Sequence, residues 1–231
     1  MANFVEFPGA AALNQNLAGK MADALRQGIA ERGQATLIVS GGRTPLELFR
    51  QLSRQELDWQ RVTITLADER WVNRDHGSSN EKMVRNSLLQ GEVAKATFIA
   101  LKNEAETATE GQARTEEALA ALPLPADVTV MGMGDDGHIA SLFPGSATLP
   151  QALDLQTTRR CVAITPITAP LERMTLTLPV ILDSRRIYLL LAGESKREAY
   201  ERAEKGTDQN DMPVRALLNQ QQTPVEVYWT A

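Results

Sequence analysis

Apolar residues recur at every fourth position from Leu13 through Leu17, Met21 and Leu25 to Ile29, which lines one face of a helix ending near Gly33. The period then changes. Thr36-Leu-Ile-Val-Ser40 is a short, nearly continuous apolar run of the kind found in strands buried on both faces. The chain turns at Gly41-Gly42, and Pro45, which needs no amide hydrogen in a first helical turn, precedes the helical pattern Leu46-Glu-Leu-Phe49.

The same grammar returns along the chain. Val62-Thr-Ile-Thr-Leu-Ala67 leads into Asp68-Glu69-Arg70, Asp127-Val-Thr-Val-Met-Gly-Met133 into Gly134-Asp-Asp-Gly-His138, and Arg186-Ile-Tyr-Leu-Leu-Leu-Ala192 into Gly193-Glu-Ser-Lys196. Helical segments from Asn80 to Leu89 and from Thr107 to Leu122 alternate with these runs, and a further strand is expected at Val225 to Thr230. Such alternation predicts an α/β fold, a mainly parallel sheet flanked by helices. Ligands of open parallel sheets bind outside the carboxyl ends of the strands, so the four polar segments that follow four strands are expected to meet at one site. Between Ser146 and Arg160 the pattern assigns no element.

At 231 residues with no Pro/Gly/Ser-rich linker, one domain over 1–231 is expected. The apolar residues, 43% of the chain, fall in runs too short to cross a bilayer, and the N-terminus lacks a basic segment followed by an apolar one. A soluble cytoplasmic monomer is therefore expected. With 24 Lys+Arg against 29 Asp+Glu the net charge is −5, which argues against a nucleic-acid surface and means that an anionic substrate needs local capture. The single cysteine, Cys161, lies in the apolar run Cys-Val-Ala-Ile164 and reads as a buried strand residue rather than a nucleophile.

Ser40-Gly41-Gly42-Arg43-Thr44-Pro45 joins a strand to a helix start, where paired glycines let backbone N–H groups approach an anion. It reads as a phosphate cradle, although a tight structural turn has the same form, and it is neither a Walker sequence nor a dinucleotide fingerprint. Lys196 can bring a charge to the same phosphate. Asp68-Glu69-Arg70 reads either as an exposed turn with Arg70 paired to a carboxylate, or as an arginine held for substrate oxygens or developing negative charge. The spacing does not choose between them.

His138 follows Asp135-Asp136-Gly137, so a carboxylate is at hand to orient its ring for proton transfer, whereas His76 lies in a polar loop with no chemical duty. No second His or Cys lies at ligand spacing, so no metal is expected. No serine sits in Gly-x-Ser-x-Gly, which leaves water as the expected nucleophile.

Taken together, Ser40-Gly-Gly-Arg-Thr-Pro45, Asp68-Glu-Arg-Trp71, Ser79-Asn80 and Gly132-Met-Gly-Asp-Asp-Gly-His-Ile-Ala-Ser-Leu-Phe-Pro144 closely resemble the 6-phosphogluconolactonases of the pentose phosphate pathway, over nearly the whole chain. The resemblance implies one Rossmann-like domain that hydrolyses 6-phosphoglucono-δ-lactone to 6-phosphogluconate without an organic cofactor. By position it implies that His138 deprotonates water and then protonates the departing ring oxygen, with Asp136 orienting the imidazole. Arg70 would offset the charge of the tetrahedral intermediate, the Ser40 to Thr44 loop and Lys196 would hold the 6-phosphate, and Arg173 would be a further substrate contact or a surface residue. The related glucosamine-6-phosphate deaminases share the Gly-Gly turn and Asp-Gly-His-Ile-Ala but continue with Phe-Asn-Glu-Pro, where this chain has Ser141-Leu142-Phe143-Pro144. A phenylalanine cannot do that glutamate's proton transfer, which favours lactone hydrolysis over amino-sugar isomerisation. A sugar-phosphate-sensing module without catalysis is the third reading, and it has no need of Asp136 and His138 together.

Overall fold

Leu13, Leu17, Met21 and Leu25 are buried along one face of α1 (Ala10–Arg32). Each contributes roughly 1.5–3 kcal/mol by leaving water. The helix ends at Gly33, whose φ of 76° is left-handed and whose N–H closes the last turn on the carbonyl of Ile29 at 2.9 Å. The computed structural model describes residues 2–231.

In chain order the remaining elements are β1 (Asn3–Phe7), β2 (Ala35–Val39), α2 (Leu46–Leu52), β3 (Val62–Leu66), β4 (Asp68–Arg70), α3 (Asn80–Ser87), β5 (Thr97–Ile99) and α4 (Ala108–Leu119). There follow β6 (Val128–Met131), α5 (Leu149–Leu153), β7 (Cys161–Ile164), β8 (Arg173–Leu176), α6 (Leu178–Leu182), β9 (Ile187–Ala192), α7 (Glu194–Glu204), α8 (Arg215–Leu218) and β10 (Val225–Thr230). Pro45 stands just before α2 rather than inside its first turn.

A seven-stranded sheet runs in the order β1-β10-β9-β6-β2-β3-β5, with every neighbouring pair parallel. From β2 the chain moves outward through β3 to β5, then returns to place β6 on the other side of β2. The order therefore reverses between β2 and β6, the crevice where open α/β sheets bind ligands. Pairing of Val39 with Val130 brings the ends of these two strands level, and Ser40 N–H donates to the Val130 carbonyl at 2.9 Å.

A second, antiparallel sheet has the order β4-β8-β7 and is tied to the first where Leu176 N–H donates to the Ala67 carbonyl at 2.9 Å. This corrects the reading of Asp68-Glu69-Arg70 as a possible exposed turn. The segment is a strand because its backbone pairs with β8, and Asp68 and Glu69 are buried. Glu69 accepts from the N–H groups of Arg70, Asn80 and Glu81, each at 2.7 Å, and from Ser79 Oγ at 3.0 Å, so its carboxylate anchors the start of α3. No helix among the described residues is long and apolar enough to cross a membrane.

Candidate active site

The segment after β6 folds back on itself: Gly134 N–H donates to the His138 carbonyl at 2.9 Å, and Gly137 N–H to the Gly134 carbonyl at 3.0 Å. This return sets His138 Nδ1 2.6 Å from Asp136 Oδ1, which also accepts from the His138 backbone N–H at 3.1 Å. Glycine is required at 134 because a Cβ there would overlap the imidazole and the Asp136 carboxylate. Burial pushes the Asp136 carboxyl up, but the hydrogen bonds and charge of His138 outweigh it and leave the group below its ordinary value. Beyond the histidine, Ala140 takes a left-handed φ of 48°, a strained state for a residue with a side chain, and the Phe143 ring stacks on the imidazole with centroids 4.2 Å apart.

Arg70 and Arg173 are register partners across β4 and β8, Arg173 buried and Arg70 partly so. Arg70 Nη1 donates to the Ser78 carbonyl at 2.7 Å, while its Nε is buried with no partner among the described residues. Arg173 Nε donates to the Leu171 carbonyl at 3.2 Å, and its Nη1 lies 4.0 Å from Asp68 Oδ2. Burial lowers the proton affinity of Arg173 and the charge of Arg70 lowers it further, with Asp68 and Glu69 opposing. Two like charges held opposite one another favour an anion between them. Asp68 in turn accepts from Ser141 Oγ at 2.5 Å, which ties the histidine loop to β4.

Both groups face one cavity of about 260 Å³, lined also by Ser40, Gly41, Gly42, Thr44, Asn80 and Lys196. Ser40 Oγ is a second buried polar atom without a partner among the described residues. An unmet buried donor or acceptor costs roughly 1–3 kcal/mol, which a ligand oxygen would recover. Lys196, near the start of α7, pairs with Asp135 at 2.8 Å. Arg43 is exposed and does not line the cavity, so of the Ser40 to Thr44 segment only its arginine points to no shared site. Among the described residues no group of three or more His, Cys, Asp or Glu side chains gathers as a metal site would.

Residues 8–229 match the family model described as glucosamine-6-phosphate isomerases/6-phosphogluconolactonase. The chain belongs to this family. Among its relatives, the 6-phosphogluconolactonase of Pseudomonas aeruginosa is 45% identical over 93% of this chain and 89% of that protein. The 6-phosphogluconolactonase of Rhizobium meliloti is 41% identical over 99% of this chain and 98% of that protein. A crystal structure of a 6-phosphogluconolactonase from Shewanella baltica superposes with a TM-score of 0.98 at 48% identity, covering 100% of this chain and 98% of that one. A monomeric glucosamine-6-phosphate deaminase shares the fold, with a TM-score of 0.81 at 23% identity.

Asp68, Asn80 and Phe143 lie within the motifs that carry the resemblance, but reading along the chain gives them no place against the cavity or its residues. Asn80 Nδ2 donates to the Asp68 carbonyl at 2.9 Å, and its side chain fills the space a Cβ at Gly41 would need. Asp68 lines the cavity itself rather than serving only as a neighbour of Arg70. The Phe143 stack is invisible to spacing because it depends on a fold-back of the loop. The pairing of Ser79-Asn80 with the Gly-Gly turn inside one motif set was the available signal for Asn80.

Proposed function

We propose that this protein hydrolyses 6-phospho-D-glucono-1,5-lactone to 6-phospho-D-gluconate in the oxidative pentose phosphate pathway, with residues 1–231 acting as one catalytic domain. What supports this most directly is that His138, backed by Asp136, and an opposed pair of arginines line the same cavity. Relatives at 41–45% identity over nearly the whole chain, named for that activity, point the same way.

With Asp136 accepting from Nδ1–H, the imidazole of His138 keeps a lone pair on Nε2. Nε2 takes a proton from water as its oxygen attacks the lactone carbonyl carbon. The carbonyl π pair moves onto oxygen, and Arg70, whose Nε has no other partner among the described residues, stabilises that oxyanion. Collapse reforms the carbonyl and breaks the bond to the ring oxygen, which leaves with the proton held by His138. Water is consumed and one carboxylic acid formed, so the histidine ends as it began. Ser40, Gly41, Gly42, Thr44 and Lys196 hold the 6-phosphate, and Arg173 supplies a further anion contact opposite Arg70.

The test pairs two assays on the same preparation: hydrolysis of freshly generated 6-phosphogluconolactone, corrected for spontaneous opening, and ammonia release from glucosamine 6-phosphate. Lactone turnover without ammonia is expected. Ammonia release without lactone turnover would make the protein a deaminase, and binding of both sugars with turnover of neither would make it a non-catalytic module.

A further inference from the structure

Phe143 is 5% exposed and touches both halves of the site. Its ring stacks on His138 with centroids 4.2 Å apart and planes inclined by 26°, and the Arg173 guanidinium carbon lies over the same ring at 5.5 Å. The hydrogen bond to Asp136 fixes one atom of the imidazole but leaves the ring free to swing about that contact. A flat surface against the imidazole removes this freedom. Arg173, only partly paired by Asp68 at 4.0 Å and facing the like charge of Arg70, gains from the negative face of the aromatic ring.

We propose that Phe143 is a positioning residue for the reaction, its ring setting the plane of the His138 imidazole. This rests on His138 being the base. Geometry of this kind matters to rate because a misplacement of about 1 Å costs on the order of 10²-fold. A leucine of similar volume keeps the core filled but presents no flat face, whereas a tyrosine keeps the face.

The experiment is a double-mutant cycle with Phe143→Leu and His138→Ala, with Phe143→Tyr as the conservative control, melting temperature checked for each. The second readout is the proton NMR signal of His138 Cε1–H, readily separated because the chain has only two histidines. Phe143→Leu is expected to lower kcat about tenfold while leaving the melting transition cooperative. It should also move the His138 signal by removing the aromatic ring current. Phe143→Tyr should stay within about threefold of the parent. In the His138→Ala background, Phe143→Leu should cost less than about twofold, because the group it positions is gone. An unchanged kcat in Phe143→Leu with His138→Ala impaired would overturn the inference, as would the same loss in both backgrounds or an unmoved His138 signal. Near-normal turnover by His138→Ala would instead remove the general-base reading on which the inference stands.

Discussion

At the scale of single residues, His138 is constrained by Asp136 at its Nδ1, by the absence of a side chain at Gly134, and by the Phe143 ring. Gly134→Ala should therefore cost activity without a comparable loss of binding, kcat falling about tenfold or more because a methyl group displaces the imidazole. Steady-state kinetics that show only a raised KM would contradict this. Asp136→Asn should lower kcat by roughly 10²-fold, since the amide no longer selects the Nδ1–H tautomer. The acid side of the behaviour follows from the depressed Asp136 carboxyl. A group with a lowered folded-state pKa contributes its stability fully above the unfolded value and loses it as pH falls through the folded one. The stability gap between parent and Asp136→Asn should thus persist at pH 6 and close below about pH 4, as urea titrations at several pH values can measure. Burial also raises the Cys161 thiol far above its usual range, so thiol reagents should label the unfolded chain and spare the native one. His138 with Asp136 was legible in the sequence because the pair is two residues apart. Asp68 with Ser141 was not, since their 2.5 Å contact joins residues 73 positions apart.

At the scale of elements, the long amphipathic helix and the central strands followed directly from their hydrophobic periods. The helix expected from Thr107 to Leu122 is α4, Ala108–Leu119, with Thr107 as its N-cap in a capping box with Glu110, so its start is displaced by one residue and its end by three. The short strands β1, β5 and β8 escaped because three to five residues carry too little periodicity to separate them from loops. Missing β8 meant missing the small antiparallel sheet, and with it the reason that Arg173 faces Arg70. Glu69 shows what such an element demands. Its buried carboxylate meets the N–H groups of Arg70, Asn80 and Glu81. Glu69→Ala should strand these donors and lower stability by about 2 kcal/mol or more in urea unfolding, with kcat also reduced because Arg70 loses its anchor. A stability change within about 0.5 kcal/mol would mean that water satisfies the donors equally well.

At the scale of the whole molecule, a parallel sheet reverses its strand order between β2 and β6, and four sequence-distant segments meet over that point. Their convergence was legible because it follows from strand direction alone. Which side chains face inward depends on the local turns, which is why Arg43 falls outside the cavity while Thr44 lines it. The chain carries a net charge of −5, so under the proposed function capture of an anionic sugar would fall to the cations lining the cavity, Lys196, Arg70 and Arg173. Lys196→Ala should raise KM for a phosphorylated substrate with little change in kcat, and added salt should raise the parent's KM more than that of the variant. The most direct test of the account is stopped-flow hydrolysis of 6-phosphogluconolactone by the parent and by His138→Ala, both corrected for spontaneous opening. The predicted result is rapid turnover by the parent and a chemical rate lowered by about 10²- to 10⁴-fold in a variant of unchanged fold. A near-parental rate from His138→Ala would contradict it.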